Sequence, residues 1–269
     1  MSELPLERAL ALGLLHGPAE TLPVSSSGHT ALVPWLRGWD WEQLDPALRK
    51  RFEVALHAGS LVGLTIVARG ELAGVYTGRR LARVILPAVI PAALAGVLGQ
   101  EAIERRLGKP AQVAAGLLAG GVAMVVADRI GGRARRIEDA GILDGLLLGF
   151  AQSVALVPGV SRSGAARTVA RARGFHPDDA ERLAQAVGLP VTTGAVLWKA
   201  RELRHANPRE LRTLAVGALA SGAATAASRT LRARSLAPYA AYRAALAGVV
   251  LRRLRENGRD DRLLRRCRG

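Results

Sequence analysis

The stretch GPAETLPVSSSGH (residues 17–29) is echoed by GFAQSVALVPGVSRSG (residues 149–164), and this pair decides how the chain is read. Each block gives Gly-x-Ala, an acid or its amide (Glu20, Gln152), then a hydroxyl (Thr21, Ser153). A short apolar link, a proline and Ser-x-Ser-Gly follow. A looser likeness comes next, FEVALHAGS (52–60) beside AERLAQAVG (180–188). Two polar loops of one pattern, one in each half, imply an internal repeat. In membrane proteins, inverted repeats set broken helices face to face near the bilayer midplane. Polar backbone is tolerated at that depth only when buried in protein or lining a wet cavity. Both loops are therefore expected to be re-entrant and to meet in one central pocket.

The surrounding sequence supports a membrane setting. Runs 84–100, 111–127 and 145–161 carry no formal charge over 17 residues each, and 183–198 and 213–228 none over 16. Run 52–68 carries one, Glu53. A spanning helix needs roughly 17–25 apolar residues, so all six are short candidates. AQVAAGLLAGGVAMVVA (111–127) has no polar face for water, and its Gly116, Gly120 and Gly121 suit close helix contacts in lipid. Mean hydropathy is only +0.16, so a soluble Ala-rich helical protein is the competing reading. The expected fold is all-α: a polytopic membrane protein with inverted repeats and two re-entrant helix-loop pairs. It would form one membrane domain over residues 1–251, with halves near 1–127 and 140–251, and a basic tail over 252–269.

The net charge is +16, and all but three of the 38 basic residues are arginine, the exceptions being Lys50, Lys109 and Lys199. Arginine binds phosphate bidentately, so DNA, RNA and anionic lipid are all chemically admissible partners. A nucleic-acid binder would leave the membrane with salt alone, and the apolar runs argue against it. Nearly every loop is basic, so the charge bias does not set orientation. The lone Cys267 excludes an intramolecular disulfide. MSELPLERAL lacks the basic start and cleavage site of a signal peptide.

The loops offer a definite chemistry. Backbone N–H groups in a Ser/Gly-rich turn that opens a helix bind anions, and Ser25, Ser26 and Ser27 add hydroxyls. His29 stands three residues from Ser26 and four from Ser25, within reach on a helix start. A histidine beside a serine is the minimum for an activated nucleophile or general base. Arg162, between Ser161 and Ser163, and Glu20, ahead of Pro23, are costly charges in a membrane and so point to a site. Together they outline a phosphate pocket. His57, on an apolar run, reads as a satisfied interior residue. Glu53 reads equally as support for the site or as a helix-start charge. His176 reads as a loop residue before a helix, and His205 as exposed.

GPAETLPVSSSGH and PGVSRSGA resemble the two signature segments of the bacterial undecaprenyl-pyrophosphate phosphatases, the bacitracin-resistance family. FEVALHAGSLVGL, VGLPVTTGA and LAPYAAYRAALAGVV resemble further family segments in the same order. The resemblance implies a multi-pass enzyme of the bacterial inner membrane. Such an enzyme cleaves the terminal phosphate of a C55 polyprenyl pyrophosphate and recycles the carrier lipid for cell-wall synthesis. It implies Ser26 as nucleophile candidate, His29 as base or acid, Arg162 as pyrophosphate clamp, and Glu20 as metal ligand or support for His29. Ser25, Ser27, Gly28, Ser161, Ser163 and Gly164 would bind substrate. A divalent cation, Mg or Ca, is the implied cofactor. The lipid and the membrane are the implied partners, nucleic acid is not, and a homodimer is an option for assembly.

Two departures from the family pattern stand out. The first acid of its Glu-Gly-x-x-Glu is His16 here; a histidine can ligate a metal or act as a base, but it brings no negative charge to a hard cation. The usual Ser-Gly-Ala-Thr reads Ser163-Gly164-Ala165-Ala166 and is followed by Arg167. A protein that binds or transports polyprenyl phosphates without hydrolysing them is the alternative reading.

Overall fold

The computed structural model describes residues 3–267, and every regular element among them is helical, with a single isolated bridge between Arg135 and Phe175. The side chains of Glu101, Glu104, Arg229, Thr230 and of residues 259–267, Cys267 included, lie outside those described. Ten helices of at least 11 residues fall into two sets of five. The first set is α1 (Leu6–Thr21), α2 (Ser26–Leu36), α3 (Pro46–Ala73), α4 (Leu86–Leu107) and α5 (Pro110–Ile130). The second is α6 (Ile142–Val154), α7 (Arg162–Ala172), α8 (Pro177–Lys199), α9 (Pro208–Ala227) and α10 (Ala237–Cys267). Local chemistry sets many of the starts. α3, α5, α8 and α9 each open on a proline, whose missing N–H costs nothing there. Asp45 caps α3 by accepting from Ala47 N at 3.0 Å, and Asn207 caps α9 by accepting from Glu210 N at 2.9 Å.

Among the described residues, three helical stretches are long and apolar enough to cross a membrane: Pro46–Ala73, Gly78–Gln100 and Pro110–Ile130. They coincide with runs 52–68, 84–100 and 111–127. The other three runs differ from expectation. Run 145–161 is not one helix: α6 stops at Val154, and the chain turns through residues 155–161 before α7. Runs 183–198 and 213–228 lie in α8 and α9, which fall short in hydropathy because α8 carries four charges in its first turns and α9 is built of Ala, Gly, Ser and Thr. The outward faces nonetheless carry a wide apolar belt, with Leu98 81%, Leu219 75%, Ile130 72% and Val97 65% exposed. A patch of that kind is not left to water, which removes the soluble reading: the chain is an all-α polytopic membrane protein.

The two sets interlock. α1 packs on α9 of the other set, and α6 packs on α4 of the first, while α5 pairs with α10. The same repeat position makes both crossings. A Cβ on Gly17 would strike the backbone of Ser221 and Thr225, and a Cβ on Gly149 would strike the backbone of Ala88. Gly149→Ala is therefore expected to destabilise by about 1–3 kcal/mol, the usual cost of overpacking, read as a lower unfolding temperature in detergent. Unchanged unfolding would contradict this crossing.

Many arginines are consumed inside the fold. Arg171, 1% exposed, donates to Asp128 Oδ1 at 3.0 Å through both Nε and NH2. Arg135 and Arg173 converge on Asp144, and Arg51 pairs with Glu210 at 2.9 Å. The basic segment begins within a helix: α10 runs unbroken across residue 252, with Arg252 bonded to Glu256 at 2.9 Å.

Candidate active site at the meeting of the two loops

Each loop closes with the same strained cap. Ser25 (φ 76°) and Ser161 (φ 73°) are the two non-glycine residues with positive φ among those described. Such a conformation costs about 1–3 kcal/mol and persists only where its surroundings hold it. Ser25 Oγ accepts from Gly28 N at 3.2 Å, and Ser161 Oγ accepts from Gly164 N at 3.2 Å. Ser25 and Ser27 hydroxyls lie 3.4 Å apart, as do those of Ser161 and Ser163. The repeat read in the sequence is thus a repeat of geometry. In both loops the Gly28 and Gly164 N–H groups are taken by the turn, while the Ser25 and Ser161 hydroxyls, as acceptors there, keep a hydrogen to donate.

The loops touch, as expected. Ser163 Oγ donates to Leu22 O at 3.2 Å. The join is made by Arg243 of α10, which is 0% exposed. Its guanidinium donates to Pro23 O at 3.2 Å in the first loop, and to Gly159 O at 2.7 Å and Val160 O at 3.0 Å in the second. Further bonds reach Gly116 O and Leu117 O of α5. The sequence reading missed this residue. Its signal was a single arginine inside the apolar LAPYAAYRAALAGVV. Arg243→Lys keeps the charge but loses the planar fork, leaving buried carbonyls unpaired at about 1–3 kcal/mol each. Its expected result is a lower unfolding temperature with a weakened phosphate site; wild-type stability would show that the loops do not depend on it.

Glu20 is the centre of the pocket. Its Oε2 accepts from Ser26 Oγ at 2.5 Å, and its Oε1 accepts from Arg162 NH2 at 2.6 Å. One carboxylate therefore ties the serine of the first loop to the arginine of the second. His29 departs from expectation. Its Nδ1–H donates to Ser25 O at 2.7 Å, and its Nε2 accepts from the Tyr242 hydroxyl at 2.6 Å, the two rings stacked. Both nitrogens are thus engaged away from Ser26, because a helical i to i+4 bond takes one and α10 supplies a partner for the other. The group that meets the Ser26 hydroxyl is the acid.

His57 corrects the opposite error. It is not a satisfied interior residue: its Nδ1 is buried without a hydrogen-bond partner, 3.6 Å from Glu20 Oε1. His16 lies edge-on to it, ring centroids 4.7 Å apart. The carboxylate thus stands between an arginine, a serine and two imidazoles.

A cleft opens beside Glu20. Gln152, Arg162, Ser163, Arg167, Gln185 and Thr192 line its polar side, and Leu64, Ala184 and Leu189 its apolar side. Gln152 is the repeat counterpart of Glu20, and Gln185 stands where His57 stands in FEVALHAGS, so the looser sequence likeness also converges here. Arg167, the cation gained relative to the family pattern, donates to Thr21 O at 2.7 Å and to Glu181 Oε1 at 2.5 Å. It borders the cleft while tied to protein acceptors. His176 and His205 stand apart from this site, the latter exposed.

The family described as "Bacitracin resistance protein BacA" matches residues 9–249. A protein of Geobacter metallireducens named undecaprenyl-diphosphatase is 36% identical over 265 residues, covering 90% of this chain and 96% of its own. Undecaprenyl-diphosphatases of Moorella thermoacetica and Rubrobacter xylanophilus are 35% and 37% identical, covering 73% and 71% of this chain and 76% and 75% of theirs. With paired loops, a shared pocket and this span of similarity, the chain belongs to the bacitracin resistance protein BacA family.

Proposed function

We propose that the protein hydrolyses undecaprenyl pyrophosphate to the monophosphate and inorganic phosphate, as a multi-pass enzyme of the bacterial inner membrane that recycles the lipid carrier for cell-wall synthesis. The observation that carries this reading is the Ser26–Glu20–Arg162 chain across the two loops. Ser26 Oγ attacks the terminal phosphorus while Glu20 takes its proton. The bond from that phosphorus to the bridging oxygen breaks, and the lipid monophosphate leaves. Water then attacks the phosphoserine phosphorus, the P–Oγ bond breaks, inorganic phosphate leaves with the protons of that water, and Glu20 returns its proton to Oγ. Arg162 turns from Glu20 to the equatorial oxygens, where charge is spread in the transition state. His29 acts through position, holding the turn that aims Ser26. The prenyl chain follows the Leu64–Leu189 side of the cleft toward the apolar belt.

A hard cation such as Mg or Ca does not suit this pocket. Such ions take six or more oxygens, whereas among the described residues Glu20 is the one carboxylate lining this pocket and its neighbouring donors are the imidazoles of His16 and His57. No step is routed through such an ion.

The test is release of inorganic phosphate from C55 pyrophosphate by the purified protein in detergent. Release with ordinary turnover is the expected result. Retained lipid binding with no release at any metal concentration would instead favour the binding or transport protein.

A further inference from the structure

We propose that His16, Glu20 and His57 form a site for a borderline transition-metal ion of the zinc class, replacing the hard-cation site that the family resemblance implies. Their ligand atoms all lie within 4.8 Å of one another. A tetrahedral ion at about 2.0–2.1 Å from each donor needs donor separations of roughly 3.3–3.5 Å. The His57 Nδ1 to Glu20 Oε1 distance of 3.6 Å nearly meets this, and, with all pairs within 4.8 Å, none has more than about 1.5 Å to close.

Hydrogen bonding prepares the donors. The Ser221 hydroxyl donates to Leu56 O at 3.0 Å, so toward His16 Nδ1, also at 3.0 Å, it accepts. That bond places the proton of His16 on Nδ1 and leaves a lone pair on Nε2. Ligating histidines are commonly fixed by such an outer partner. His57 Nδ1 is buried and has no hydrogen-bond partner. Two neutral imidazoles and one carboxylate make the donor set of a zinc site that keeps a fourth position open.

Arg162 shares Oε1 of Glu20 at 2.6 Å, so ion and guanidinium compete for one carboxylate. A bound ion would compensate Glu20 and free Arg162 for phosphate. The proposal rests on the reading above for what the ion faces, whereas binding itself is measured without lipid.

The experiment uses the untagged full chain in detergent, stripped with chelator and equilibrated with zinc, cobalt, magnesium or calcium. Metal content and the visible spectrum of the cobalt form are read. One zinc per chain is expected, with a cobalt spectrum of four-coordinate type. His57→Gln should weaken zinc binding by more than the roughly 10–100-fold that loss of an outer partner causes, and Ser221→Ala should fall within that range. Arg162→Ala should tighten zinc binding, a gain that damaged folding would not produce. His16→Glu should shift preference toward magnesium or calcium. No zinc in the parent protein, or zinc binding unchanged in both His57→Gln and Arg162→Ala, would overturn the proposal. Zinc bound without phosphate release would instead overturn only the hydrolase reading, and release without zinc binding only this one.

Discussion

Arg162→Ala is expected to lower kcat for phosphate release by about 10²–10³-fold, the range for removing one preorganised donor to a developing oxyanion. The loss has two sources. The guanidinium is the side-chain cation that bridges Glu20 and the cleft, so charge building on the transferring phosphoryl group loses its nearest compensation. Its removal also leaves Glu20, whose side chain is 14% exposed, with an unpaired charge that burial penalises. Arg167 does not substitute, being held by Thr21 O and Glu181. Arg162→Lys should recover part of the rate, since it restores charge without the bidentate fork. The measurement is phosphate release beside the unfolding temperature of each variant. Activity of Arg162→Ala within a few-fold of the parent, in a folded protein, would mean that the two loops do not form one active site.

The halves of that site were legible because each is local. A proline, one or two residues and then Ser-x-Ser-Gly encode a cap and a helix start within eight residues, so the echo of 22–28 at 157–164 was readable before any packing was known. What lay beyond reach was which atoms face each other across helices. Ser26 and His29 have a spacing that permits contact, yet Tyr242, 213 residues from His29, takes the ring nitrogen that the pairing would need. His57 sits on an apolar run and looks interior by pattern. It reaches Glu20 because Gly59 lets α3 approach the Ala218 backbone of α9, and α1 packs on that same helix through Gly17. Run 145–161 misled for a related reason. Absence of charge measures solubility in lipid and not helical continuity, and the turn at 155–161 satisfies its carbonyls through Arg243.

Ser26→Ala is expected to reduce phosphate release at least about 10³-fold, equivalent to about 4 kcal/mol of barrier, while lipid binding stays within a few-fold. The argument separates two neighbouring serines. Ser25 holds the strained cap, so Ser25→Ala removes the acceptor for Gly28 N and should appear as lost stability of about 1 kcal/mol. Ser26 carries no cap: its hydroxyl meets Glu20 Oε2 at 2.5 Å, the contact through which a proton can leave as Oγ attacks phosphorus. Its removal strikes the rate and spares the turn. If water were the nucleophile, Glu20 would still be present to take its proton, and Ser26→Ala would keep activity within about tenfold of the parent, roughly 1.4 kcal/mol. Brief incubation with substrate labelled at the terminal phosphate adds a direct reading. Label retained on the acid-quenched parent and absent from Ser26→Ala identifies the serine; no label on either, with Ser26→Ala still active, removes the covalent step and leaves Glu20 as base toward water.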